Sequence, residues 1–147
     1  MQLLERLTAE MKEAMKSRDA LRLSTIRMVL SSVKNRGIEL RRELSDAEVT
    51  EIIVTLCKQR RESIRLFKEA ARQDLVDKEE AELALLLEFL PQQLTRDELE
   101  SLVDRIIAEV SATSGKDMGR VMKALQPVVS GRADGKMVSE VVKEKLA

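Results

Sequence analysis

Histidine, tryptophan and tyrosine are absent from the sequence, cysteine occurs once, and Phe67 and Phe89 are the only aromatic rings. Without histidine there is no imidazole general acid or base, no Ser-His-Asp or Cys-His nucleophile, and no basis for a zinc site, since carboxylates alone rarely hold structural zinc. Platforms that stack single-stranded bases on exposed aromatics are not expected either, because both rings fall within apolar patterns that bury them. Five glycines and two prolines give too few turns for an all-β fold. Excess charge of one sign is also missing. Twenty-six Lys and Arg balance 26 Asp and Glu, so no global field steers the chain onto nucleic acid or an anionic membrane.

What is abundant points to helices. Charged residues make up 35% of the 147 and apolar residues 44%, a mixture suited to amphipathic helices with solvated outer faces and too apolar for disorder. Cys57 has no partner for an internal disulfide, which fits a reducing compartment. Met1 to Arg18 carry Glu5, Glu10 and Glu13 in an amphipathic pattern without a continuous apolar run or small-residue cleavage site, so no signal peptide is expected. The most apolar run, Leu83 to Leu90, contains Glu88 and is less than half the length that crosses a bilayer. The expected compartment is the cytoplasm, without membrane contact.

Periodicity predicts seven helices. Leu4, Leu7, Met11, Ala14 and Met15 define the first, ending near Ser17 to Asp19. The second follows Asp19 as N-cap and weakens at Asn35-Arg36-Gly37, where Gly37 is the expected C-cap or break. Ser45-Asp-Ala-Glu48 is a capping box that opens a long third helix, with Val49, Ile52, Ile53, Leu56, Ile64 and Phe67 buried and an end near Arg72. Asp74 or Asp77 is the expected cap of the fourth, which Pro91 ends. Thr95-Arg-Asp-Glu98 is a second capping box and opens a fifth helix that dissolves at Ser111 to Gly115. Met118, Val121, Met122 and Leu125 mark a sixth, Val138, Val141, Val142 and Leu146 a seventh, and Pro127 to Gly135 the connection between them. No repeat of fixed period is visible. The expected fold is all-α, with an N-terminal domain of about four helices over residues 1–91 and a C-terminal three-helix domain over residues 92–147.

The neutral total hides segregation. Arg27 to Arg72 carries 11 basic against 7 acidic residues, Gln73 to Val110 carries 3 against 11, and Ser111 to Lys136 carries 5 against 2. In the first segment Arg61, Arg65, Lys68 and Arg72 step by four, three and four along one helix face, either a phosphate-facing strip or a solvated, partly ion-paired surface. Cys57 has cationic neighbours in Lys58 and Arg61 but no base, and reads as a small, partly buried apolar residue rather than a nucleophile. Glu79, Glu80 and Glu82 read as an exposed acidic first turn rather than a metal site. In Gly131-Arg132-Ala-Asp134-Gly135-Lys136 the glycines allow tight turns at a helix start whose free amides favour phosphate, with Asp134 as a simple cap the alternative. Lys116, Arg120 and Lys123 precede it and can extend a basic patch. The glycine spacing is not that of a P-loop.

Several stretches together resemble the GatB/YqeY family, the free-standing relatives of the C-terminal tail of the B subunit of bacterial glutamyl/aspartyl-tRNA amidotransferase. They are Arg18-Asp19 with Leu23-Ser24-Thr25-Ile26-Arg27-Met28, Lys58-Gln59-Arg60-Arg61-Glu62-Ser63, Ala71-Arg72-Gln73-Asp74-Leu75, and Glu79, Glu82 and Leu83. Leu90-Pro91-Gln92-Gln93-Leu94, Asp117-Met118-Gly119-Arg120-Val121-Met122-Lys123 and Gly131 to Lys136 complete the set. Gln92 stands where glutamate is frequent, and Arg120 where the tail often has glutamine. The resemblance implies an all-α protein of two helical domains and a tRNA contact in the second, since the amidotransferase tail touches the tRNA elbow. The amidase and phosphoryl-transfer chemistry belongs to domains this chain lacks.

The resulting expectation is a non-catalytic protein that binds tRNA by charge and shape, with no cofactor or metal. Its contact set is Lys116, Arg120, Lys123, Gly131, Arg132, Gly135 and Lys136, with Arg61, Arg65, Lys68 and Arg72 as a secondary strip. Two alternatives are an interaction module whose acidic Gln73 to Val110 segment, with the long third helix, docks a partner of the translation machinery, and a component of a carbon-nitrogen ligase with glutamine as amido donor; an aminoacyl-tRNA-related enzyme is a further expected partner beside tRNA.

Overall fold

Leu7 and Ala14 disappear into a core while Glu5, Lys12 and Glu13 stay in water, the partition that the spacing of the first helix dictates. In the computed structural model, which describes residues 2–147, all regular structure is helical: seven α-helices and one 3-10 turn. Contacts divide the chain into units of Met1–Leu90 and Pro91–Ala147.

In the first unit α1 (Gln2–Ser17) ends where Arg18 turns into the left-handed region, and the Asp19 carboxylate accepts from the Arg22 amide to start α2 (Ala20–Leu40). Gly37 is not the C-cap expected from the sequence. The helix continues to Leu40 and Arg41 takes the left-handed turn at φ 56°. Gly37 serves the returning chain instead: the Arg42 amide donates to its carbonyl at 3.2 Å, and a Cβ there would lie 3.2 Å from the Arg42 oxygen. A side chain would crowd that close approach.

Leu44 plugs the loop at 2% exposure, and Ser45 and Glu48 form the reciprocal capping box that starts α3 (Asp46–Glu69). Ala71 turns left-handed and α4 (Gln73–Leu87) begins without a side-chain cap. Asp74 and Asp77 are thus not its caps; Asp74 is engaged by the Arg72 guanidinium at 3.0 Å, and Asp77 accepts from Gln73. α4 stops before the proline, as i−3 bonds tighten Glu88 to Leu90 into a turn that buries Phe89. α4 packs against α3 and α2, and α1 against α2 and α3, around Leu7, Ile26, Val29, Ile53, Leu86 and Phe89.

In the second unit Thr95 and Glu98 form a further capping box and open α5 (Arg96–Glu109). The 3-10 turn Gly115–Asp117 leads into α6 (Met118–Val129), and α7 (Gly135–Leu146) starts at the Asp134 cap. Pro127 lies inside α6, not in the connection. It sits in the last turn on the exposed side, so the carbonyl four residues back that loses its donor faces water. Leu99, Val103, Val121, Leu125, Val141 and Val142 form the core that the three helices share.

Candidate functional site

Each unit is neutral by itself, with 17 cations and 17 anions up to Leu90 and 9 of each beyond it. The second unit's neutrality is uneven along the chain. Residues 96–109 carry five acids against two bases, whereas Met118–Val129 contains Arg120 and Lys123 and no acid at all. On α6 the buried residues Val121, Leu125 and Val129 define the inner face. Gly119, Arg120, Lys123, Gln126 and Pro127 are all exposed, and Lys116 precedes them by one turn. Spacings of four put Gly119, Lys123 and Pro127 on one outward face of α6, and Lys116 is exposed in the 3-10 turn before it.

Lys116 and Lys123 have no ion pair among the described residues. Arg120 has one: its Nη2 meets Asp117 Oδ1 at 3.0 Å. The Asp117 carboxylate is held below its ordinary range, chiefly by the Thr113 amide at 2.8 Å, with Ser114 and Arg120 adding to the effect. Its role is therefore to close the turn before α6, and it leaves the outer face cationic.

Gly131, Arg132, Gly135 and Lys136 divide into two pairs. Gly131 is buried at φ 74°, where its missing Cβ is a backbone requirement, and its carbonyl accepts the Gln93 side-chain amide at 2.7 Å. The Arg132 carbonyl accepts from Leu94 N at 2.8 Å and its Nε reaches the Gln92 carbonyl at 3.5 Å, so this pair fastens residues 92–94 within the unit. Gly135 and Lys136 form the exposed first turn of α7, where the Asp134 carboxylate already accepts from the Lys136 amide. Lys136 keeps a side chain without an ion pair among the described residues.

Sequence reasoning passed over Gly115 and Gly119 as site residues. A Cβ at Gly115, Gly119 or Gly135 would meet nothing within 4 Å, so none of the three is glycine for internal packing. At α6 the result is a flat surface beside Lys116, Arg120 and Lys123. The visible signal was a glycine inside a helical pattern.

The α3 strip is occupied by its own neighbours. Arg65 pairs with Glu62 and, at 2.9 Å, with Glu69; Lys68 meets Glu80 at 3.7 Å and Arg72 meets Asp74 at 3.0 Å. Arg61 is only half-exposed. One turn earlier Arg60 is sunk to 15% exposure, its Nε 3.2 Å from Glu82 and 3.9 Å from Glu79, and its Nη2 against the Met28 sulfur. That cluster joins α2, α3 and α4; its members all lie in the stretches that carry the family resemblance, but no spacing marked them as partners. Arg22 similarly links Glu10 of α1 to Glu88, and Arg6 lies over the Phe89 ring at 4.8 Å. Cys57 is 1% exposed, and burial pushes its thiol up to about 11 against the opposing pull of Arg61 and Arg60. A thiol in that state is no nucleophile.

An open groove of about 460 Å³ is lined by residues of α2 and α3, among them Ser32, Asn35, Glu48, Glu51, Thr55 and Gln59. No group of three metal-ligating side chains occurs among the described residues, and no helix there is long and apolar enough to cross a membrane.

Comparison with known proteins places these features in a family. The model of the Yqey-like protein family matches residues 4–146. "Altered inheritance of mitochondria protein 41, mitochondrial" from Pyrenophora tritici-repentis is 32% identical over 147 aligned residues, covering 96% of this chain and 79% of that protein. The proteins of the same name from Kluyveromyces lactis and Lachancea thermotolerans are 34% and 31% identical, covering 71% and 74% of this chain. The matches span 58% and 59% of the lengths of those two relatives. The chain belongs to the Yqey-like protein family.

Proposed function

We propose that this protein binds tRNA through the outer face of α6, by charge and shape and without catalysis of its own. The observation that carries the reading is that α6 itself contains no acid: Lys123, and Lys116 in the 3-10 turn before it, have no ion pair among the described residues, Arg120 meets only Asp117 of that turn, and Gly119 leaves room for a backbone to approach. Lysine and arginine on a flat helix face suit phosphates, and without exposed aromatics there is nothing to stack on bases. Lys136 extends the cationic set from α7. The resemblance to the amidotransferase tail supports the same partner. The amidotransferase's own chemistry resides in its other domains and is no part of the proposal. The cytoplasm is the expected compartment, and the mitochondrial label of the relatives names another compartment that contains tRNA.

Arg132 is a poor probe of this reading, since its backbone and side chain hold residues 92–94. Lys116 and Lys123 are better ones. In fluorescence anisotropy with bulk tRNA at low salt, Lys116→Glu combined with Lys123→Glu is expected to weaken binding by roughly tenfold or more. Unchanged affinity contradicts the proposal. Recovery of a protein partner that survives nuclease, without any RNA affinity in the purified chain, favours the interaction-module alternative.

A further inference from the structure

The first unit carries a second acid-free face, on α2 rather than on α3. Ala20, Ser24, Arg27, Ser31, Lys34 and Ile38 recur at spacings of four, three, four, three and four, and all six are exposed. The opposite side of the helix holds the buried Ile26, Val29 and Val33. Across its 21 residues α2 has a single acid, Glu39, which is taken by Arg36 at 2.8 Å. Arg22 is likewise spent on Glu10, Asp19 and Glu88. Arg27 and Lys34 have no ion pair among the described residues, and neither do Arg18 and Arg41, the exposed residues that flank the helix. In a unit whose cations and anions are equal in number, this helix face carries cations and no acid of its own.

We propose that the Arg27–Lys34 face of α2 is a second contact for the phosphate backbone of RNA; the inference rests on the RNA-binding reading of α6 and adds a surface on the other unit. Arg27 and Lys34 lie about 10 Å apart along the helix at 1.5 Å per residue, with only small side chains between them. The Ser31 hydroxyl has no hydrogen bond among the described residues, whereas Ser24 returns its own to the Leu21 carbonyl. Cations, a hydroxyl and small residues fit a sugar-phosphate chain. A membrane surface fits less well, since a helix that lies in lipid needs a bulky apolar face and Ile38 is the only such residue here.

The test is the salt dependence of tRNA binding by the full chain. Arg27→Gln with Lys34→Gln removes the face's charges at exposed positions that the core does not use. Lys58→Gln with Lys78→Gln removes the same charge from exposed positions on α3 and α4 that have no ion pair among the described residues. The face variant is expected to reduce the magnitude of the slope of log K against log salt by about 1.4 to 1.8, at ~0.7 to 0.9 per lost phosphate contact, and the control variant to leave it unchanged. An equal effect in both variants, or none in the face variant while Lys116→Glu with Lys123→Glu abolishes binding, overturns the α2 contact and leaves α6 standing. Wild-type protein that binds no tRNA at low salt overturns both. Loss of binding to phosphatidylserine vesicles in the face variant, with its RNA slope intact, assigns the surface to lipid and also overturns the inference.

Discussion

Gly131 and Gly119 are glycines for opposite reasons, and substitution separates them. At φ 74° an alanine in place of Gly131 is strained, so Gly131→Ala is expected to destabilise the protein by about 1 to 2 kcal/mol. Gly119 stands in open space within the first turn of α6, so Gly119→Ala is expected to be neutral or to stabilise by up to about 1 kcal/mol while weakening tRNA binding. Denaturant melts read beside anisotropy show whether stability and binding move in opposite directions. The buried thiol gives a separate residue-level test. Cys57 is expected to resist iodoacetamide at pH 8 in the folded protein and to react once denaturant exposes it; rapid native labelling contradicts its burial. Arg60 ties α3 to α4 and α2. Arg60→Ala leaves Glu79 and Glu82 facing each other without a cation, with an expected loss of about 1 to 2 kcal/mol, less than for a fully buried pair because all three remain 14 to 20% exposed.

Among the elements, local chemistry was legible and partner-dependent chemistry was not. The capping boxes at Ser45 and Thr95 need only residues within four positions, and both occur where the sequence places them. Gly37, by contrast, answers to Arg42 across a turn, and Pro127 is tolerated because its side of α6 is solvated; neither condition is written in the local pattern. The α3 strip shows the same limit. Its spacing is helical as read, but Lys68 finds Glu80 on α4, a partner visible only once the two helices pack. Ser45→Ala and Thr95→Ala are each expected to cost about 1 kcal/mol. At the first cap the Arg42 guanidinium and then the Ser45 amide hold Glu48 at about 2, below its ordinary value. A depressed carboxylate stabilises the fold above its unfolded pKa near 4.3, and that contribution is lost as pH falls toward 2. Urea melts across that window are expected to show stability falling with pH, with a shallower fall in Arg42→Gln, which removes the largest cause of the shift.

At the scale of the whole molecule, zero net charge is a poor guide to partners. Both units are neutral, yet ion pairing consumes cations unevenly and leaves two helix faces, on α6 and α2, without acids. Composition pointed away from polyelectrolyte binding, and segment counts brought it back; the paired and unpaired cations could be told apart only in three dimensions. The missing histidines and exposed aromatics narrow the same question from the other side, since a chain without them recognises RNA by phosphate geometry more readily than by base identity. The most direct test of tRNA binding by charge is the affinity of the wild-type chain measured from about 50 to 200 mM monovalent salt. The account predicts that log K falls linearly with log salt, with a slope of about −2 to −4 for the few unpaired cations on these faces. A slope near zero, or no binding at the low-salt end, contradicts it.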